Sequence, residues 1–403
     1  MARAVAPAER ADWNLGGLIA VAFGHGVDDF FAGTVALTIF FVVGNLHLAP
    51  WYQGAIAFLW YVTSSIVQPL FGAYTDRHGR WWFMPTGVAL VVVAISFTSL
   101  ATSVVTLALL VIAGGLGAAI MHPEAGKYAA MLSGSRRSQG ISIFQIGGSL
   151  GFALGPVTIA ALLAQFGRFG SLVLLVPGLI GTAYVYAGIR RAHLLAFRAP
   201  ATEASTGDGP PARVDRIGIA LVVGSTAVRF LTTTAFMTYL PNLVAARGGS
   251  LVDAGQLVTA FLLIGIVGMW LGGYLGDRIG AVGASVTGLC LAVPCLLAYF
   301  FVPGPAGIAC LLAGSILLAV QNAPGVVVVQ AMLPKNLGMA LGLINGVAFG
   351  IGSILVTAVG FVVTHRGPQE ALIDVSVMPL AGALAFVAVA RRGATRPVPA
   401  VAG

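Results

Sequence analysis

Twelve apolar runs, each long enough to cross a bilayer, constrain this chain more than any other feature. They lie at 15–44, 51–74, 82–101, 104–130, 139–164 and 170–189, and then at 217–246, 252–276, 282–302, 304–331, 338–364 and 371–390. About 20 apolar residues in a helix span the roughly 30 Å hydrocarbon core. Hydrophobic residues make up 58% of the chain and charged residues 8%, so we predict an all-α membrane protein with twelve transmembrane helices.

The second half of the chain repeats the first. The segment GAYTDRHGR, which begins at Gly72, returns in shorter form as GYLGDRIG, which begins at Gly273, and further matches keep the same offset of 201 residues. Duplicated halves are typical of secondary transporters. We therefore predict two pseudo-symmetric six-helix bundles, at 1–189 and 217–403, joined by a cytoplasmic linker at 190–216 that is rich in proline and charge.

The basic residues predict the orientation of the protein. Most of the 21 lysines and arginines fall in the two terminal segments and the even-numbered loops, whereas the opposite side carries only Arg168, Arg247 and Arg366. Because such residues concentrate on the cytoplasmic side, both termini are predicted to be cytoplasmic, in a bacterial-type inner (cell) membrane. The net charge of +8 then reflects membrane orientation, and no nucleic-acid partner is expected.

The repeated charged loop predicts a cytoplasmic gate. Glycine permits tight turns and close helix approach, and a carboxylate can accept hydrogen bonds from the amide groups at the start of a helix. Such a contact between the halves would stabilise one state of a two-state transporter; the alternative is an ordinary basic turn. The predicted gate residues are Gly72, Asp76, Arg77, Gly79, Arg80, Asp277 and Arg278.

The fifth apolar run carries closely spaced small residues. Gly151 and Gly155 would let a neighbouring helix approach, and Pro156 frees a backbone carbonyl. Ordinary membrane packing is the alternative interpretation.

Ionisable residues within the apolar runs are candidates for proton coupling, because each costs at least about 2.5 kcal/mol to insert. An acid in a dry cavity holds its proton tightly and can release it when the cavity opens. Glu124 is the first candidate carrier and Asp29 the second. Charge pairing, of Glu124 with Lys127 or of Asp29 with Arg229, is the alternative. The full candidate set is His25, Asp28, Asp29, His122 and Glu124.

Basic residues at membrane depth predict a substrate that carries negative charge. Arg229 is favoured over Lys127, which has a local acidic partner; Gln145 and Tyr239 are further candidate contacts. No H-E-x-x-H, P-loop or G-x-G-x-x-G pattern occurs. We therefore expect no enzyme activity, no cofactor and no metal.

These residues resemble the major facilitator superfamily. The loop matches its G-x-x-x-D-R-x-G-R motif, and the segment from Gly151 to Pro156 resembles its antiporter motif. Within the superfamily, the chain is most similar to the fosmidomycin resistance proteins. That similarity runs through SSIVQP, which begins at Ser64, MHPE at Met121, SIFQIGG at Ser142, LGP at Leu154, and the stretch from Leu333 to Gly352.

The resemblance implies proton-driven export of a small anionic drug such as a phosphonate. It implies coupling roles for Asp29, His122 and Glu124. The family's histidine on the first helix corresponds to His25. Asp28 stands where a neutral polar residue is expected, and Ala331 replaces an expected acid. The alternatives are an importer or uniporter of an organic anion and a non-transporting membrane sensor. Expected partners are the substrate, protons and the lipid bilayer, and the protein is expected to act as a monomer.

Overall fold

The computed structural model describes residues 14–78, 80–134, 136–196, 215–333, 339–340 and 343–392. It leaves out the side chains of residues 76, 77, 137, 138, 192–196 and 345. Most of the predicted linker, and Gly79 of the predicted gate, therefore lie outside the described residues. The part of the chain that is described is helical and contains no strand.

Among the described residues, twelve helices are long and apolar enough to span a membrane, which confirms the predicted fold class. In the first half they are α1 (Leu15–Asn45), α2 (Trp51–Thr75), α3 (Phe83–Leu100), α4 (Val104–Leu132), α5 (Gln139–Phe169) and α6 (Ser171–Arg191). In the second half they are α7 (Arg216–Ala246), α8 (Leu251–Ile279), α9 (Ala281–Phe301), α10 (Gly304–Met332), α11 (Ala348–Arg366) and α12 (Pro368–Arg391).

Polar residues set several helix starts. The side chain of Asn14 accepts a hydrogen bond from the Gly17 amide at 2.9 Å, and Ser250 forms a capping box with Asp253 at the start of α8. Such caps satisfy amide groups that have no partner within the helix. Asp215 caps α7 and also binds Arg392, whose hydrogen bonds hold the pKa of the Asp215 carboxyl below its usual range.

Several of the predicted continuous helices are interrupted in the part of the chain that is described, among them α2 and α10. A π-helical turn at Val62–Ile66 divides α2. The tenth run, predicted as one helix, breaks between Ala319 and Asn322. Pro324 explains this second break, because it has no amide hydrogen to donate to the carbonyl four residues earlier.

The two halves meet at one end of the molecule, which we call the far end. It lies opposite the end that carries the first and last described residues. At the far end, the Trp51 amide donates to Thr364 Oγ1 at 3.2 Å, and the Trp51 ring stacks on Phe361. A second bond runs from the Val157 amide of α5 to Thr259 Oγ1 of α8 at 3.0 Å. Helices α2, α5, α8 and α11 therefore hold the halves together at the far end.

Candidate functional site

The ionisable residues of α1 and α4 meet near the middle of the first bundle. Asp28 and Asp29 lie about one helical turn after His25 on α1, and His122 faces them from α4. Residues three or four positions apart share one face of a helix, which brings His25 and Asp29 together. Four of the five predicted proton-coupling residues thus form one group, which we call the histidine cluster.

His25 is fixed by two neighbours. Its Nδ1 lies 2.9 Å from the backbone oxygen of Phe144 on α5, and its ring stacks on the Phe144 ring with 4.0 Å between centroids. Its Nε2 lies 3.1 Å from Asp29 Oδ2. A carbonyl oxygen can only accept, so Nδ1 carries a hydrogen and Nε2 is the nitrogen that faces the carboxylate.

His122 approaches the same carboxylate from the other side. Its Nδ1 lies 2.9 Å from the Ala118 carbonyl oxygen, and its Nε2 lies 3.5 Å from Asp29 Oδ1. The side chain of Asp29 is 21% exposed and that of His122 is 27% exposed. Each oxygen of the Asp29 carboxylate therefore faces a histidine Nε2, in a group that is partly open.

The contact between His25 and Asp29 requires a proton. With Nδ1 already donating to Phe144, the Nε2 contact is favourable only if Nε2 is protonated or Asp29 is. Without that proton, the nitrogen lone pair would face a carboxylate oxygen. One ligand atom from each of His25, Asp29 and His122 lies within 4.8 Å of the others, so the three side chains can share a proton or another cation.

Asp28 is the most deeply buried member of the cluster. Its side chain is fully buried, and both carboxylate oxygens lack a hydrogen-bond partner. Oδ2 lies 3.8 Å from His122 Nδ1, which is beyond hydrogen-bond distance. A carboxylate without hydrogen bonds is costly to bury, so Asp28 adds a strong local preference for positive charge or for a proton.

Glu124 is outside the histidine cluster. It forms the ion pair with Lys127 that was the alternative to a proton-coupling role. Its Oε1 accepts a hydrogen bond from Lys127 Nζ at 3.0 Å, and Lys127 also donates to Thr75 Oγ1 of α2 at 2.8 Å. Glu124 is buried, whereas the Lys127 side chain is 40% exposed. The pair therefore connects α4 to the end of α2 that leads into the predicted gate.

Arg229 is a buried cation in the second bundle. It is 7% exposed, and its Nε has no hydrogen-bond partner. The described residues contain no ion pair between Arg229 and a carboxylate, so the considered bridge to Asp29 does not form. Arg229 thus retains an unpaired positive charge near the middle of α7.

Of the other predicted substrate contacts, Tyr239 lies on α7 in the second bundle and Gln145 lies on α5 in the first. Tyr239 is fully buried and donates to the Val356 carbonyl of α11 at 3.2 Å. In this conformation it packs between helices and does not line an open cavity. Gln145 follows Phe144 on α5 and is exposed.

The predicted gate is described only in part. Gly72 lies on α2 beside Pro123 of α4, Arg80 is exposed, and Arg278 covers the ring of Tyr274. Asp277 is exposed at the end of α8. The side chains of Asp76 and Arg77, together with Gly79, lie outside the described residues.

The glycines of α5 lie against the backbone of α1. A Cβ at Gly155 would lie 2.6 Å from the Phe30 carbonyl oxygen, and Gly151 lies against the backbone of Gly26. Gly148 faces His25 and Asp29 directly. Pro156 lies inside α5 without ending it. The role of Phe144 was missed, because a phenylalanine in an apolar run gives no signal that its carbonyl will orient a histidine.

This fold and its buried charged groups define a membrane transporter built from two repeated six-helix bundles. The chain belongs to the Major Facilitator Superfamily, whose sequence profile matches residues 21–357 and again 222–402.

Two relatives align with nearly the whole chain. The uncharacterized MFS-type transporter YfnC of Bacillus subtilis (strain 168) is 28% identical over 386 residues, which cover 92% of each protein. The fosmidomycin resistance protein of Escherichia coli (strain K12) is 25% identical over 393 residues, which cover 95% of each.

Solved structures agree on the fold. A bacterial homolog of the human lysosomal transporter Spinster, in an inward-facing and occupied conformation, superposes with a TM-score of 0.74 at 15% identity and covers 96% of this chain and 99% of its own. A peptide transporter, POT, in complex with sulfate gives a TM-score of 0.73 at 15% identity, with 93% and 94% covered.

Proposed function

We propose that this protein is a proton-coupled antiporter that exports a small anionic compound, such as a phosphonate drug, from the cytoplasm. The observation that carries the proposal is the Asp29 carboxylate, which lies 3.1 Å from the Nε2 of His25 and 3.5 Å from that of His122. The contact between His25 and Asp29 is favourable only when a proton lies between them. Uptake and release of that proton would give the cluster a loaded and an unloaded form.

Three further observations support the anionic substrate. Arg229 offers a positive charge that no carboxylate neutralises among the described residues. In the first bundle, by contrast, Lys127 is occupied by Glu124. The relative from Escherichia coli is a fosmidomycin resistance protein, and fosmidomycin is a phosphonate, a chemical class that arginine binds well.

The proposed cycle exchanges the two ligands between two states. With the far end closed and the predicted cytoplasmic side open, substrate binds at Arg229 while the histidine cluster releases its proton to the cytoplasm. After the halves rock about the middle of the membrane, the cluster takes up a proton from outside, and substrate leaves. We assign the coupling role first to Asp29, since Glu124 already has a lysine partner.

Flux into proteoliposomes tests this proposal. With an acidic interior, the wild type is expected to accumulate fosmidomycin above equilibrium, because protons leave as the drug enters. Asp29→Asn is expected to abolish accumulation but to retain exchange between equal drug concentrations, whereas Arg229→Gln is expected to weaken drug binding at least tenfold. The matched control is Asp374→Asn, which removes an exposed carboxylate bound to Arg366.

Each alternative predicts a different result. Uphill transport by Asp29→Asn would show that the proton is carried elsewhere. Accumulation only with an alkaline interior would indicate an importer that moves the anion and proton together. If lipophilic cations are transported and phosphonates are not, the anionic substrate class is wrong. A sensor would bind the drug and show no flux in any condition.

A further inference from the structure

A pocket separate from the histidine cluster opens at the far end of the second bundle. It has a volume of about 430 Å³ and lies between the end of α7, helix α8 and the turn from α9 to α10. Arg247, Leu257, Tyr299 and Phe301 are among its lining residues. The proposed transport cycle does not use this pocket.

Arg247 is the charged group of the pocket, and its contacts are with neutral groups. Its Nη2 donates to Gln369 Oε1 at 3.0 Å, and its guanidinium carbon lies 5.2 Å from the centre of the Tyr299 ring. A single amide contact leaves most of the five guanidinium donors available. Arg247 is exposed, so these donors can reach a ligand.

Neighbouring acids do not neutralise Arg247. Asp374 binds Arg366 at 2.7 Å, and Asp253 closes the capping box with Ser250. The described residues include no ion pair between Arg247 and a carboxylate. Arg247 therefore retains an uncompensated positive charge, unlike Arg366 at the same end.

The surroundings of the pocket indicate a ligand that comes from the membrane. Phe301 is 71% exposed and is the last residue of the α9 span, and Ile308 of α10 is 41% exposed. Exposed apolar side chains at the end of a membrane span are expected to lie against the hydrocarbon, next to the headgroups. One wall of the pocket thus faces acyl chains, while Arg247 lies at the level of the headgroups.

We propose that this pocket binds the headgroup of an anionic phospholipid in the leaflet at the far end. The guanidinium of Arg247 would hold the phosphate, while Tyr299 supports the underside of the arginine and Phe301 packs against the first carbons of an acyl chain. Arginine suits this role because its planar fork matches phosphate geometry. Bound lipid would stabilise the packing of the turn from α9 to α10 against the end of α7.

Lipid binding to the full-length protein in nanodiscs tests the proposal. Native mass spectrometry would count the phosphatidylglycerol molecules retained as the nanodisc composition changes from phosphatidylcholine to phosphatidylglycerol. We expect Arg247→Gln to weaken retention at least tenfold, as loss of a charged hydrogen bond predicts. Arg247→Lys should keep part of it. The matched control, Arg366→Gln, removes the neutralised arginine at the same end and should bind like the wild type.

Three results would overturn the proposal. Wild-type retention by Arg247→Gln would show that the pocket is not the site. Equal loss in Arg366→Gln would indicate a general effect of surface charge. If inorganic phosphate at millimolar concentration displaces the lipid fully, or if phosphatidylcholine is retained as well as phosphatidylglycerol, the site does not select an anionic lipid. Unfolding temperatures measured for each variant separate these results from misfolding.

Discussion

The side chains of the histidine cluster depend on one another because their contacts fix the orientation of each ring and of the Asp29 carboxylate. The carbonyl oxygens of Phe144 and Ala118 each engage the Nδ1 of one histidine, so both Nε2 atoms point toward Asp29. Three helices are therefore needed to orient one carboxylate. Such orientation through a second layer of contacts is common where a group must hold and release a proton.

At the same scale, the pair of Glu124 and Lys127 yields a prediction about stability. Lys127→Met leaves the buried Glu124 carboxylate without its lysine, so we expect the free energy of unfolding to fall by about 1 to 3 kcal/mol. Combining Lys127→Met with Glu124→Gln should recover much of this loss, because no buried charge then remains. Thermal unfolding in detergent at constant pH measures both effects. Additive losses in the double variant would argue against a direct coupling.

Among the elements, the contact between α1 and α5 sets the geometry of the cluster. Glycines let the two backbones approach, and the approach brings Phe144 within reach of His25. The spacing of Gly151 and Gly155 predicted close packing on α5. It could not predict that α1 is the partner, because glycine spacing does not specify which helix will approach.

A single methyl group at this contact is expected to disturb proton coupling. The Cβ of Gly148→Ala would collide with the ring of His25 and would lie 2.5 Å from Asp29 Oδ2, so the contact between these two side chains must shift. We expect a loss of proton-driven accumulation of at least tenfold, with folding retained. The control is Gly224→Ala on α7, where a Cβ meets nothing within 4 Å. Normal coupling in Gly148→Ala would show that the cluster tolerates a shift of its carboxylate.

For the whole molecule, the contacts at the far end indicate the state of the transporter. Trp51 and Thr364 join α2 to α11, and Val157 and Thr259 join α5 to α8. Together with the predicted orientation, this closure corresponds to a state that is closed toward the outside. The contacts must break in each cycle if the site is to reach the other side.

A reversible crosslink at the far end should therefore stop transport. Trp51→Cys combined with Thr364→Cys, in a background in which Cys290, Cys295 and Cys310 are replaced by serine, is expected to form a disulfide in the absence of substrate. Flux should fall at least tenfold on oxidation and return on reduction. Oxidation of either single-cysteine variant is the control. Continued flux through the oxidised double variant would mean that the far end need not open.

The sequence predicted the fold better than the site, for physical reasons. Bilayer thickness and the duplicated halves dictate twelve spans, and the position of Asp28, Asp29 and His122 within apolar runs identifies them as functional candidates. Their partners depend on helix rotation and contact, which the sequence does not express. The i, i+3 spacing of Glu124 and Lys127 already offered their pairing as the alternative to a proton-coupling role, and the structure contains that ion pair.

The two histidines on either side of Asp29 also bear on how far the protein could concentrate its substrate. Each proton moved across about 100 mV contributes roughly 2.3 kcal/mol, which corresponds to a concentration ratio of about 50. If only His25 shares a proton with Asp29, one such factor applies. If His122 also closes onto the carboxylate with a proton of its own, the factors multiply to about 2,500. Because an anionic drug carries its own charge across the potential, the steady-state ratio of drug counts the histidines that take part only when a pH gradient of equal size drives transport alone.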